Sequence, residues 1–385
     1  MRLLQKSTTS FAASATMSRI SNIQGIPVAL ADPKEDPGAE AQRPRGKKLK
    51  KAVDKTGEPP SRFSLRVSAA WWRSMEYVGM SLHFLASPQP PSPTFTRSIP
   101  STLSKEKGKI ILHFYVPKGY EEAGSKAQFP AVVNFHGGGF TIGAPTDDAR
   151  FARVVMETCN AIFVSVEYRL APEYPFPTAV EDSTDAILYL IRHAGELRID
   201  PLKLATSGFS AGGNLAITSL LRLQSQLKTG TAVPEHEIVA VAAWYPITDY
   251  TLTRAERREI SINPKKALPS FFTDLFDASY LHPPNLDLSN PFLSPSKATD
   301  EQLDQGLPKN IVFYTCEWDM LLREGEQLAA RLGKAPLHKS VHYKMVPGVS
   351  HGWDKGPNPV QVAEYSEELY LECCEKLNEA FKRGR

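Results

Sequence analysis

From Lys109 onward the chain alternates short β-rich runs with amphipathic helices, and this alternation constrains the fold more than any other feature. The strand candidates are KIILHFYV from Lys109, AVVNF from Ala131, AIFVSVEY from Ala161, LKLATS from Leu202, IVAVAAWY from Ile238, NIVFYTCE from Asn310 and VHYKMV from Val341. Between most of them, apolar residues recur at helical spacing over 147–159, 178–196, 211–227 and 321–332, with a final helix over 360–382. A strand that returns through a helix pairs in parallel, so the pattern predicts an α/β fold, a mostly parallel central sheet with helices on both faces. Such sheets place their sites at the carboxyl ends of strands. One stretch breaks the rhythm. From Ile247 to Leu307 the sequence is Pro-rich and polar, with short apolar clusters such as PSFFTDLF, and reads as an insertion.

Upstream of the alternation, SLRVSAAWWRSMEYVGMSLHFLAS carries Trp72, Met75, Gly79, Leu82 and Leu85 at helical spacing, an apolar stripe expected to cover part of the body. The prolines of SPQPPSPTFTRSIPS then forbid a helix and predict an extended connector. The expected organisation is a tail over 1–63, an N-terminal helix and connector over 64–100, and a body over 101–385 that carries the insertion 247–307.

Between Asp32 and Pro60 there are almost no large apolar residues, too few to offset ordering entropy, so this part is expected to be disordered. Its KKLKK run fits a solvated tail better than a nuclear address. The first 31 residues hold Arg2, Lys6 and Arg19, no acid and much Ser and Thr, the composition of an organelle transit peptide; a plain tail, or a protein starting at Met17, are the competing readings. The expected location is cytoplasmic, with mitochondrial import as the alternative.

Charge and cysteine content remove further classes. Lys and Arg number 45 against 42 Asp and Glu, but residues 1–66 hold 13 basic and 6 acidic side chains, so the rest carries +3 − 7 = −4. A mildly acidic body argues against a nucleic-acid-binding face. Four irregularly spaced cysteines form no disulfide framework and no C-x-x-C pair, which favours a reducing compartment. The longest apolar run, IVAVAAWYPI, is too short to span a bilayer. No metal or organic cofactor is implied, the expected partner is a small molecule, and the pattern specifies no oligomeric state.

The chemistry concentrates in SGFSAGGNL, where Ser210 stands between Gly208 and Gly212 after one strand candidate and before a helix. A sharp strand-to-helix turn leaves no room for side chains two positions either side of its tip, which explains both glycines and exposes the serine. A serine hydroxyl needs a base and a carboxylate to orient that base. YTCEWDMLLREGEQ puts Asp319 just past a strand end, and VPGVSHGWD puts His351 in a loop after the next, in the order Ser, Asp, His. NFHGGGF adds three glycines, Gly137, Gly138 and Gly139, directly after a strand, where bare N–H groups can approach a substrate oxygen.

From about Lys107 to its end the chain resembles the hormone-sensitive-lipase-like branch of the α/β-hydrolases, the α/β-hydrolase-3 group of esterases, through HGGGF, EYRLAPEYPFPTAVED, GFSAGGNL, the Asp319 segment and HGW. The resemblance implies Ser210 as nucleophile, His351 as base and Asp319 as its orienting acid. It implies an oxyanion hole from backbone N–H groups of the glycine run and Ala211, with His136 shaping the loop and YRLAPE bracing it. It also implies a helical cap built from the N-terminal helix and the insertion. The expected activity is that of a serine carboxylesterase on short- to medium-chain esters, the acyl end closed early by Trp71, Trp72, Met75, Met80, Phe271, Phe272 and Phe276. An acyltransferase or ester-tailoring enzyme with the same residues, or a non-catalytic receptor on this fold, are the alternatives; His351 weighs against the receptor. Two positions depart from the family, which often has Asp where this chain has Phe209 and Pro where it has Met320.

Overall fold

The computed structural model describes residues 60–124 and 126–383. The expectations for residues 1–59, an unordered or targeting tail, lie outside the described residues. Eight strands form one sheet: β1 Phe95–Pro100, β2 Lys109–Tyr115, β3 Phe129–Phe135, β4 Ile162–Glu167, β5 Ile199–Phe209, β6 Ile238–Trp244, β7 Asn310–Cys316 and β8 Ser340–Val346. Their order is β1-β2-β4-β3-β5-β6-β7-β8. β1 and β4 run antiparallel to β2, and every pair from β4 to β8 is parallel. This is the mostly parallel sheet that the alternation predicts.

Central strands are apolar on both faces because helices cover both. Ala131, Val133 and Phe135 of β3 face the layer formed by α3 (Thr178–Arg192), α4 (Ala211–Lys228) and α8 (Leu322–Gly333). Val132 faces the opposite layer, formed by α2 (Ala149–Cys159) and α9 (Ser366–Arg383). The four cysteines are free thiols buried among these layers. Among the described residues no helix is long and apolar enough to cross a membrane.

Three elements differ from the sequence reading. The second half of the Pro-rich connector is β1, an edge strand, where Pro100 removes no needed ladder bond because it ends the strand. The last helix starts at Ser366 instead of 360, since Asn358 Oδ1 accepts the N–H groups of Val360 and Gln361 and holds that stretch in a turn.

The third is α1 (Arg62–His83), started by Ser61, whose hydroxyl accepts the Ser64 N–H. Its inward face is Leu65, Ala69, Trp72, Glu76, Met80 and His83, which keeps Trp72 of the predicted stripe, whereas Met75, Leu82 and Leu85 are exposed. The reason is polar. Arg73 Nε donates to the Thr141 carbonyl at 2.9 Å and its Nη2 to the Ala171 carbonyl at 2.8 Å and to Glu173 at 2.9 Å. The Gly143 N–H donates to Glu76 Oε2 at 2.6 Å. A buried seam held by hydrogen bonds is invisible to a search for apolar periodicity.

Residues 247–307 form α5 (Arg254–Glu259), α6 (Ser270–Tyr280) and α7 (Asp300–Gly306). Trp72 of α1 stacks on Phe271 of α6 at 5.1 Å and packs on Phe272 at 4.6 Å. Arg254 pairs with Asp277 at 2.6 Å, and buried Arg257 with buried Glu324 of α8, also at 2.6 Å.

Candidate functional site

β5 runs into α4 through a turn at Ser210, whose φ of 56° and ψ of −115° are unusual for a residue with a side chain. The tight turn explains the flanking glycines. A Cβ at Gly208 would lie 2.1 Å from the Gly212 carbonyl oxygen, and one at Gly212 would lie 1.8 Å from that of Phe135. Strand, turn and helix are pressed together at the carboxyl edge of the sheet, and the Ser210 hydroxyl is left facing a cavity.

The loops after β7 and β8 bring the other two predicted residues to it. Ser210 Oγ lies 2.7 Å from His351 Nε2, and His351 Nδ1 lies 2.6 Å from Asp319 Oδ2. Asp319 is buried, and its second oxygen accepts the Leu321 N–H at 3.0 Å, which fixes the carboxylate. With Nδ1–H donated to Asp319, the lone pair of Nε2 faces the serine hydroxyl.

The glycine run lies against this relay. Gly138 has φ 101°, where any side chain would be strained, and the Thr141 and Ile142 N–H groups fold back onto its carbonyl. Among the described residues, neither the Gly138 nor the Gly139 N–H has a protein acceptor. Ala211, first residue of α4, has no intrahelical acceptor for its N–H. Gly137 packs against the Phe209 carbonyl. His136 sits beneath, fully buried, its Nδ1 2.8 Å from the Gly137 carbonyl and its ring stacked on Tyr168 at 4.3 Å. Burial pushes the imidazole's pKa down, so it is held neutral. The Tyr168 hydroxyl donates to the His136 carbonyl at 2.8 Å, and neighbouring Arg169 grips Asp182 at 2.7 Å, which locks the YRLAPE segment to α3.

The cavity has a volume of about 200 Å³. Of the aromatics and methionines expected to close it, Met80, Phe272 and Phe276 line it. Trp71 and Met75 are instead exposed, and Trp72 fills the seam between α1 and α6, stacked on half-exposed Phe271. The expected wall is therefore thinner and comes mostly from α6.

Sequence reasoning missed the network behind the site. Lys355, four residues past His351, is partly buried, with its ammonium 2.9 Å from Asp148 and 3.1 Å from Asp354. Tyr245 and Tyr370 each donate a hydroxyl to Asp354 at 2.5 Å, and the Tyr245 ring meets His351 edge-on at 5.0 Å. These partners keep the Asp354 carboxyl low despite its burial. The same ammonium lies 3.9 Å from the centre of the Phe209 ring, which in turn stacks on Trp244. Phe209, one of the two positions that depart from the family's frequent residue, thus stands where a lysine approaches from the histidine loop. The one signal available was the Phe209 departure itself.

Glu76 and Asp147 also border the cavity. Burial lifts Glu76 to about 7, while its bond from Gly143 and the Arg73 charge pull it partly back. Burial and the nearby Glu76 raise Asp147 as well.

Sheet, turn and relay define an α/β hydrolase. More particularly, the chain belongs to the hormone-sensitive-lipase-like α/β-hydrolase-3 family: a family model described as alpha/beta hydrolase fold matches residues 132–355, more than half of the chain. An arylesterase of Saccharolobus solfataricus is 39% identical over 205 residues, 52% of this chain and 61% of the relative. A carboxylesterase of Mycobacterium tuberculosis is 34% identical over 225 residues, 58% of this chain and 66% of the relative. The chain therefore spans somewhat under two thirds of these relatives' length. A Pyrobaculum calidifontis esterase structure superimposes with a TM-score of 0.67 at 26% identity, over 83% of this chain and 99% of that one.

Proposed function

We propose that the protein is a serine carboxylesterase in which Ser210 attacks the ester carbonyl, His351 takes the hydroxyl proton and passes it to the leaving alkoxide, and Asp319 keeps the imidazole oriented. Water activated by the same histidine then releases the acid and restores Ser210. The observation that carries this reading is the unbroken relay from Ser210 Oγ through both imidazole nitrogens to a buried carboxylate. The Gly138, Gly139 and Ala211 N–H groups, free of protein acceptors and beside Ser210, would receive the negative oxygen of the tetrahedral intermediate. Gly137, Gly208 and Gly212 are assigned to loop and turn geometry, and His136 to support of the glycine loop.

The names of the relatives, arylesterase and carboxylesterase, support the same reaction class. We assign α1 and residues 247–307 to a cap over the site, and the modest cavity beneath α6 to a short or medium acyl chain. An alkyl phosphonate that labels the enzyme once, at Ser210, while abolishing hydrolysis of a p-nitrophenyl ester, tests the assignment. Labelling elsewhere, or hydrolysis that survives stoichiometric labelling, refutes it.

A further inference from the structure

A second cavity, about 610 Å³ in volume, lies beside the one that Ser210 faces. Its walls are the second half of α1, the connector prolines Pro90, Pro91 and Pro93, and the loop 143–149 that follows the glycine run. Glu76, Met80 and Asp147 border both cavities, so they form the partition between them. Two of the three are tied down: Glu76 Oε2 accepts the Gly143 N–H at 2.6 Å, and Asp147 Oδ2 accepts the Ala144 N–H at 2.8 Å. Met80 is an unbranched apolar chain, a kind that changes rotamer at little cost. The partition is therefore movable at Met80.

α1 divides its contacts between two sides of the site. Its first half, with Leu65 and Trp72, packs among Phe272, Leu275 and Phe276 of α6, the helix over the modest cavity assigned to the acyl chain. Its second half packs on the segment after His351: His83 Nδ1 lies 3.1 Å from the Gly356 carbonyl, and Gly79 lies against Pro357. Asp148, next to Asp147 of the partition, meets Lys355 of the same segment at 2.9 Å. In the proposed mechanism His351 gives its proton to the departing alkoxide, so the alcohol part of an ester has to sit toward His351. The second cavity adjoins that side. Met80, Phe84 and the prolines give an alkyl or aryl group apolar wall to lie on.

We infer that the second cavity is the subsite for the alcohol part of the ester, reached past Met80, and that the enzyme takes esters whose alcohol is larger than their acid. At about 610 Å³ against about 200 Å³, it offers the alcohol more room than the site offers the acid. The inference rests on the role given to Ser210.

Values of kcat/KM on two ester series test this: acetates of alcohols from ethyl to octyl, and ethyl esters of acids from acetate to octanoate. The first series should keep rising to octyl acetate, and the second should fall beyond medium length. Ser81→Trp fills the second cavity from a position that does not border the first, and should lower the ratio of octyl to ethyl acetate about tenfold, the worth of roughly two methylenes kept out of an apolar site. Met80→Ala should raise the ratio of cyclohexyl to ethyl acetate by a similar factor. An alcohol series that ends as early as the acid series overturns the inference, and so do ratios that both substitutions leave unmoved. A change confined to the acid series overturns it too, because the cavity would then take the acyl end. Failure of the underlying reading looks different: neither series is hydrolysed, or hydrolysis survives phosphonate labelling of Ser210.

Discussion

Asp319 and His351 meet at 2.6 Å although they lie on separate loops after β7 and β8, which pair in parallel from Asn310↔Ser340 to Cys316↔Val346. Sheet register therefore sets their separation. The Glu317 N–H to Val346 carbonyl and Trp318 N–H to Val349 carbonyl bonds, both 3.0 Å, continue that pairing beyond the strands toward Asp319 and His351.

Because the relay acts as a unit, Ser210→Ala and His351→Ala should each lower kcat by about four to six orders of magnitude, with Asp319→Asn costing less. Steady-state kinetics on a p-nitrophenyl ester, with circular dichroism to show an unchanged fold, check this. A Ser210→Ala enzyme with appreciable turnover would remove the serine from its role.

Lys355 holds two carboxylates that are fully buried. Lys355→Met should destabilise the protein by about 3–5 kcal/mol, the usual cost of leaving buried charge uncompensated. Urea unfolding measures it, and a loss below about 1 kcal/mol would mean that water already solvates the network.

Glu76 gives a pH dependence with a definite sign. Its folded carboxyl lies near 7, above the unfolded value, so its contribution is full below the ordinary carboxylate range and is lost as pH rises through about 7. Asp147 moves the same way. Wild type and Glu76→Gln should melt together near about pH 5, and the variant should melt higher above about pH 8. Differential scanning fluorimetry across pH reads the crossing; parallel curves would show that Glu76 is solvated.

Among p-nitrophenyl esters from acetate to palmitate, kcat/KM should peak at short to medium chains. Each methylene that fits adds about 0.8 kcal/mol, and each that does not costs about 1–3 kcal/mol. Phe276 lines the cavity, so Phe276→Ala should move the maximum to longer chains. A wild-type maximum at palmitate, or activation by an oil interface, contradicts it.

At the turn, Gly212→Ala would bring a methyl group within 1.8 Å of the Phe135 carbonyl oxygen. That carbonyl and the next atoms it would meet, those of Phe135 and His136, are backbone and not movable side chains, so the loss should exceed about 4 kcal/mol. Soluble, fully folded Gly212→Ala protein would show that β3 can retreat.

The legible parts were those governed by periodicity and by tight turns. Seven of the eight strands announced themselves as apolar runs, and Ser210, Asp319 and His351 stood after strand ends. β1 escaped because prolines flank a short edge strand. The inward face of α1 escaped because Arg73 and Glu76, which hold it down, count as surface residues in any apolar pattern. The contacts of Lys355 escaped for another reason: Asp148 and Phe209 are far from it in sequence, and the three meet only when the start of α2, the end of β5 and the segment after His351 converge.

The lysine beneath Phe209 also constrains how this site can change over time. A carboxylate at 209 would find an ammonium waiting, whereas an uncharged residue at 355 would strand Asp148 and Asp354 whatever stood at 209. Replacements at the two positions are therefore ordered: descent can alter 209 first and keep a folded protein, but it cannot begin at 355. Lineages of this chain should show variety at 209 against a fixed lysine, with the reverse pattern missing.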